Sequence, residues 1–259
     1  MSPELYEHLS QFHNDPIIQW KTCPISGQKF AIFHKRKLAE SGQIEKLDTL
    51  QLNRLLDDHN ITHSIISSVN EEINKLEELL KARTKYIRFS ASVKAGIINK
   101  YKSPETLGLD RLAGVIGAKS LFPDTNCLVI DAGTCITYDA VDLAGVYEGG
   151  SISPGLKMRL KAMHKFTGRL PEVELSNYAD WRGYDTPSAM LSGVLNGCTE
   201  ELRGMIEIYR SRYPGLQVIL CGGDAIFFDT RLKNSIFAHT LKTEPNLVLI
   251  GLNEVIEQQ

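Results

Sequence analysis

The sequence predicts an α/β protein made of two halves of similar element order. Apolar, β-branched runs of strand length alternate with segments whose apolar residues recur at helical spacing, and the alternation is repeated once along the chain. The strongest strand signal, Cys127-Leu128-Val129-Ile130, runs straight into Asp131-Ala132-Gly133-Thr134, after which β-prone residues resume at once. That pattern reads as strand, tight turn, strand: a hairpin with polar chemistry at its tip.

Residues 1–28 carry the weakest pattern. Met1 to Trp20 mixes His, Asn, Asp and Pro with a few aromatics, and Cys23-Pro24-Ile25-Ser26-Gly27 reads as loop. Phe30 to Phe33 predicts a strand, His34-Lys35-Arg36-Lys37 a solvated turn, and Leu38 to Ile44 its partner strand. Leu47, Leu50, Leu52, Leu55 and Leu56 approximate one helix face within Leu47 to Asn60. A β-branched strand follows from His63 to Val69. Ile73, Leu76, Leu79 and Leu80 place a helix over Asn70 to Arg83, with a short strand from Tyr86 to Phe89.

The second half repeats the plan. A helix is predicted from Arg111 to Leu121, strands over 127–130, 135–140 and 146–152, and a helix from Leu156 to Phe166. Leu191, Val194, Leu195, Leu202, Met205, Ile206 and Ile208 mark a long helix from Ser188 to Tyr213. Val218 to Cys221 is a strand entering a diglycine turn, and the chain closes with a strand over Leu247 to Ile250 and a short helix. A duplicated element order places a ligand between the halves.

Composition narrows the class of function. The 259 residues hold 29 basic against 31 acidic side chains, with 42% apolar residues. This balance carries no basic patch for nucleic acid and no disordered acidic tail, so the expected partners are small molecules or a second copy of the chain. Five cysteines form no C-x-x-C pair and read as reduced thiols. No apolar run of membrane-spanning length and no leader pattern is present, so a cytoplasmic location without membrane contact is expected.

The candidate chemistry lies in glycine-punctuated turns. At Asp131-Ala132-Gly133-Thr134, Gly133 allows close backbone approach to a phosphate, Thr134 adds a hydroxyl, and turn amides can form an anion-binding nest. Asp131 can hold a cation or a water. Taken alone, such a turn is better explained by Asp and Thr satisfying backbone groups. In Gly108-Leu109-Asp110-Arg111 a loop becomes a helix, which favours an ionised Asp110, while Arg111 is able to fork onto a carboxylate. The plainer reading makes Asp110 a helix-terminus residue and Arg111 a surface partner. Thr186 before Pro187 has the pattern of a helix N-cap. Gly149-Gly150-Ser151-Ile152-Ser153-Pro154-Gly155 holds too many glycines for an ordinary strand edge, and Cys221-Gly222-Gly223-Asp224-Ala225 ends a strand in a flexible turn.

In this order and spacing, these motifs resemble type III pantothenate kinase, of the acetate and sugar kinase/Hsp70/actin superfamily. The resemblance runs from about Lys29 to near the C-terminus. It implies two duplicated ribonuclease H-like (actin-like ATPase) halves around a central cleft, divided as residues 29–105 and 106–259 after an atypical segment 1–28. It implies ATP-dependent phosphorylation of pantothenate, the first step of coenzyme A synthesis, by a homodimer using magnesium and a monovalent cation, potassium or ammonium. By the same resemblance Asp110 is the proton acceptor. Tyr101, Gly108, Leu109, Asp110, Arg111 and Thr186 hold pantothenate, Gly133, Thr134, Gly222 and Gly223 hold ATP, and Asp131 holds the monovalent cation.

One part of the family pattern is missing. Members open on a strand and an Asp-x-Gly-Asn-Thr phosphate loop, whereas the matching stretch here is Thr22-Cys23-Pro24-Ile25-Ser26. Either the loop has been lost, or the first ~28 residues come from a misread start or frame, and the abrupt change favours the second. The expectation is weakened ATP use, with a catalytically impaired pantothenate-binding or accessory protein as the alternative.

Overall fold

In the computed structural model the described residues are 16–23, 27–34, 36–44, 47–67, 74–233 and 239–259, with side chains described from residue 29 onward. The chain forms two compact units, each with its own sheet.

The first unit comprises the chain through Gly96 together with Pro104–Ser120 and Val248–Gln259. Its strands are β1 (Pro16–Cys23), β2 (Gly27–His34), β3 (Lys37–Ile44), β4 (His63–Ser67) and β5 (Lys85–Arg88). They assemble in the order β3-β2-β1-β4-β5. The first three are antiparallel neighbours, and β1–β4 and β4–β5 are parallel. Helices α1 (Thr49–Asp58) and α2 (Asn74–Arg83) make the crossovers. Asp48 caps α1 by accepting from the Gln51 amide at 2.7 Å, and the Gln51 side chain returns a bond to the Asp48 amide. Leu52 and Leu56 of α1 and Leu76 and Leu80 of α2, each pair one helical turn apart, pack on Phe30, Ile32 and Ile66 of the sheet.

The second unit comprises Ile97–Ser103 and Leu121–Leu247. Its strands are β6 (Ile98–Asn99), β7 (Cys127–Ala132), β8 (Cys135–Val141), β9 (Val146–Pro154), β10 (Gln217–Cys221) and β11 (Leu241–Thr243), in the order β11-β10-β7-β8-β9-β6. With β7 counted as first strand, β7, β8 and β9 are antiparallel neighbours, and β10 and β11 run parallel on the far side of β7. This is the topology of the first unit, with β6 added at one edge, and it establishes the duplicated ribonuclease H-like architecture. Leu128, Ile130 and Ala132 of β7 and Ile136, Tyr138 and Ala140 of β8 alternate onto one face. Helices α4 (Leu156–Phe166), α5 (Thr186–Arg210) and α6 (Ala225–Leu232) cover that face. Burying each such aliphatic side chain contributes about 1.5–3 kcal/mol.

Four expectations change. The stretch read as irregular before residue 28 contains β1, the central strand of its sheet. Its order comes from pairing β2 on one side and β4 on the other, and not from a strong local pattern. Pro24-Ile25-Ser26, where the family's first phosphate loop belongs, lies outside the described residues, as do residues 1–15 and the segment 68–73 that joins the predicted strand and helix. Leu247 to Ile250, read as a strand, opens helix α7 (Leu247–Glu257), and β11 lies just before it. The misreading has a physical cause: α7 is buried nearly all round, so its apolar run shows no helical period.

The division expected at residue 105 also differs from the observed units, because helix α3 (Leu109–Leu121) belongs largely with the first unit. A Cβ on Gly251 of α7 would stand 1.8 Å from the Ala113 carbonyl oxygen of α3, so the glycine lets the two backbones touch. Finally, the long helix read over Ser188 to Tyr213 runs as Thr186–Arg210, and its apolar side lies within its own unit: Leu191, Val194, Leu195, Leu202 and Ile206 are in the core, while Ile208 is exposed. Cys127, Cys198 and Cys221 are buried reduced thiols and Cys135 is a half-buried one. No helix among the described residues is long and apolar enough to cross a membrane.

Candidate active site

The β7–β8 hairpin tip is built by backbone contact on two sides. Gly155, which follows β9, donates its amide to the Thr134 carbonyl at 3.0 Å, and a Cβ there would fall 2.0 Å from the Gly133 carbonyl oxygen. On the other side Gly222, at φ +89°, faces the end of β7. A Cβ there would stand 2.3 Å from the Ala132 carbonyl oxygen and 2.4 Å from Asp131 Oδ1. Only glycine satisfies both that dihedral and that approach. Asp224 then donates its amide to the Ala132 carbonyl at 2.9 Å. Asp131, Gly133, Thr134, Gly222 and Gly223 are thus brought together, with Thr134 and Gly223 exposed.

One detail of the expected nest is revised. The Gly133 amide donates to the Cys135 carbonyl at 2.9 Å, so it closes the turn and is not offered to an anion. The space beside the Gly133 Cα is open, with nothing within 4 Å of a built Cβ, which leaves the tip accessible to a ligand.

Asp224 begins α6 without capping it through its side chain. Burial raises its pKa above the ordinary carboxylate value, against the opposing charge of Lys157. Directly across the hairpin from Asp131 is Thr137. Its Oγ1 is buried and has no hydrogen-bond partner among the described residues.

Behind the tip lies a polar network that sequence reasoning missed. Glu201 of α5 accepts from the Tyr138 hydroxyl at 2.9 Å and from Arg159 at 2.5 Å. Arg159 also donates to Ser153 Oγ at 2.7 Å and to the Pro154 carbonyl at 2.8 Å. One carboxylate therefore ties β8, the Ser153–Pro154 end of β9, and α4 to α5. Burial opposes ionisation of Glu201, yet hydrogen bonds from Ser153, Arg159 and Tyr138, with the Arg159 charge, outweigh it and lower its pKa. Burial and then Glu201 push the Tyr138 phenol strongly upward, and burial pushes the nearby Cys198 thiol up to about 11. The available signal was a tyrosine on the core face of a strand, which needs a partner for its hydroxyl.

The predicted pantothenate residues fall in three places. Gly108, Leu109, Asp110 and Arg111 start α3. The exposed Asp110 accepts the Arg111 amide on Oδ1 at 3.0 Å, and a Cβ at position 108 would meet that oxygen at 2.8 Å. Arg111, read either as a substrate fork or as a surface partner, is in fact buried, at 7% exposure. Tyr101 lies at the opposite end of β9 from the hairpin tip, over Gly149. Its ring stacks on Tyr147 with centroids 6.3 Å apart and planes 7° from parallel. The Tyr147 hydroxyl donates to the buried Asp139 at 2.8 Å.

Thr186 stands exposed in the first turn of α5, but it is not the cap. Asp185 takes that place, accepting the Ser188 amide at 2.9 Å, and hydrogen bonds from the Ser188 side chain and backbone lower its pKa. The Thr186 hydroxyl takes no part in the box.

Known proteins decide the family. The sequence model of type III pantothenate kinase matches residues 26–208. The chain belongs to the type III pantothenate kinase family. A type III pantothenate kinase of Bacteroides fragilis is 41% identical over 231 residues, covering 88% of this chain and 92% of the relative. One from Phocaeicola vulgatus is also 41% identical, covering 88% and 93%. Among solved structures, a conserved Baf family protein from Campylobacter jejuni superposes with a TM-score of 0.54 at 19% identity, over 94% of this chain and 98% of that one, which supports the fold alone.

Proposed function

We propose that this protein transfers the γ-phosphoryl group of ATP to the primary hydroxyl of pantothenate, forming 4′-phosphopantothenate in the first step of coenzyme A synthesis. The observation that carries this reading is the Asp131–Thr134 hairpin tip, held between Gly155 and Gly222 in a chain of this family. Phosphoryl transfer asks the protein mainly to position its reactants and to stabilise charge. Thr134 and the diglycine Gly222-Gly223, of which Gly223 is exposed, receive ATP. ATP arrives as its magnesium complex, an ion that needs few protein ligands when phosphates supply the rest.

Asp110 is the base. One carboxylate oxygen is fixed by the Arg111 amide, which leaves the other to accept the hydroxyl proton of pantothenate. Tyr101, Gly108, Leu109, Arg111 and Thr186 form the substrate contacts. The buried Arg111 would act as a pre-oriented group, not as a mobile surface fork.

Asp131 fits a monovalent cation, because its carboxylate and the orphaned hydroxyl of Thr137, its partner across the hairpin, together offer an all-oxygen donor set of low charge. A bound potassium or ammonium ion supplies positive charge against the developing phosphate charge. Among the described residues no group of three or more His, Cys, Asp or Glu forms a divalent-metal cluster. The protein is proposed to act in the cytoplasm as a homodimer. The reading as an impaired, pantothenate-binding accessory protein is not favoured, since relatives along 88% of the chain are kinases by name.

Mass spectrometry of the products from ATP with pantothenate, glucose or acetate tests the substrate. A mass gain of one phosphate on pantothenate alone is expected, and phosphorylation of the sugar or the carboxylate in its place would refute the assignment.

A further inference from the structure

Thr137 has a place in this fold that the family pattern does not give it. It pairs directly with Asp131 across β7 and β8, so the two side chains stand on the same face of the sheet with Cβ atoms about 5 Å apart. That face is opposite the one carrying Ile130, Ala132, Ile136 and Tyr138 into the core. On its other flank Thr137 pairs with Ile152 of β9, an exposed apolar side chain with no hydrogen bond to offer. The Thr137 Oγ1 is nonetheless sealed from solvent and without a hydrogen-bond partner among the described residues. A buried hydroxyl left unmatched is costly, and native proteins satisfy such groups with protein, water or an ion.

The neighbourhood selects the occupant. The adjacent Asp131 supplies one negative charge, its Oδ1 lying close against Gly222, where a Cβ would stand only 2.4 Å away. One carboxylate beside one neutral hydroxyl is an all-oxygen donor set of low charge. It suits a weakly bound monovalent cation better than a divalent ion, for which carboxylate charge is the usual source of affinity.

We infer that the Thr137 hydroxyl is the second protein ligand of the monovalent cation held by Asp131. The inference rests on the cation reading of Asp131 made above. In it Thr137 fixes the ion on the sheet face from β8 while Asp131 holds it from β7, so that hairpin register sets the geometry of the cation site.

The test uses the full chain and reads its thermal unfolding midpoint in potassium chloride against choline chloride at matched ionic strength. A cation that binds the folded state raises the midpoint, and the tighter it binds the lower the concentration at which the rise begins. Wild type is expected to be stabilised specifically by potassium. Thr137→Val should shift the half-maximal potassium concentration upward about tenfold or more, the scale of losing a group that supports a metal site. Thr137→Ser, which keeps the hydroxyl, should stay near wild type, and Asp131→Asn should lose the response.

In choline alone Thr137→Val should be at least as stable as wild type, because it removes an unmatched buried hydroxyl. A Thr137→Val protein that is unstable or unfolded there would show that the hydroxyl has a structural partner, and would overturn the inference. Loss of the response in Asp131→Asn with an unchanged response in Thr137→Val would overturn the role of Thr137 and leave the Asp131 site standing. A wild type indifferent to potassium would overturn both.

Discussion

The Tyr138 hydroxyl donates to Glu201 Oε1 at 2.9 Å, joining the β7–β8 hairpin to the longest helix of its unit. Arg159 holds the other carboxylate oxygen, and through Ser153 and Pro154 it holds the end of β9 on which the hairpin tip rests. The site is thus positioned from behind by an ionised glutamate.

This ionisation gives stability a pH dependence. Glu201 has a folded pKa below its ordinary value of 4.5, so its stabilisation is present above that value and is lost as pH falls through the folded pKa. Glu201→Gln should lower stability at pH 7 by roughly 1–2 kcal/mol, moderated by the water that reaches the group. Urea unfolding of both proteins from pH 7 to pH 3 should show the difference narrowing below 4.5. A gap that stays constant would mean that Glu201 is not held ionised by its partners.

Two adjacent glycines should respond very differently to the same change. Gly222→Ala places a methyl group within 2.4 Å of both Asp131 Oδ1 and the Ala132 carbonyl oxygen, at a φ of +89°. It should cost about 2–4 kcal/mol and raise the KM for ATP. Gly223→Ala meets nothing within 4 Å and should leave stability within about 0.5 kcal/mol of wild type. Chemical denaturation of the pair decides this, and equal losses would contradict it.

The hairpin tip was legible in the sequence because its determinants are local: an apolar run, a glycine turn and resumed β-propensity. The same holds for α4, whose predicted and observed bounds coincide at Leu156 and Phe166. Strand β1 was not legible, since two flanking strands impose its order. Nor was α7, which is buried nearly all round and so lacks a polar stripe. At Asp185-Thr186-Pro187-Ser188 two good caps are adjacent, and the reciprocal bonds with Ser188 select Asp185. The Tyr138–Glu201–Arg159 network joins residues 63 and 42 positions apart, a spacing to which no local pattern is sensitive.

Gly149, at φ +116°, lets the Tyr101 ring lie against the backbone, with a built Cβ only 2.8 Å from the ring. Gly149→Ala should displace Tyr101 from its stack on Tyr147. The KM for pantothenate should rise about tenfold or more, equivalent to roughly 1.4 kcal/mol of lost binding, with a smaller change in the KM for ATP. Steady-state kinetics with each substrate varied separately checks the asymmetry, and a selective loss of ATP affinity would contradict the role of Tyr101.

The sequence at residues 22–26 lacks the Asp-x-Gly-Asn-Thr pattern of the family. Replacing those five residues by that pattern should raise kcat/KM for ATP about a hundredfold, the scale of restoring charge-stabilising donors. Pantothenate binding, followed by calorimetry, should change little. Equal turnover by the two proteins would mean that this loop does not limit the chain.

The most direct measurement is formation of 4′-phosphopantothenate by wild type and by Asp110→Asn, followed by ³¹P NMR with ATP and pantothenate at saturation. Wild type should form the product. The variant should bind pantothenate with similar affinity but turn over about 10²–10⁴-fold more slowly, as expected when a positioned general base is removed. Unimpaired turnover by Asp110→Asn, or no product from wild type, would contradict the assignment of this chain as an Asp110-dependent pantothenate kinase.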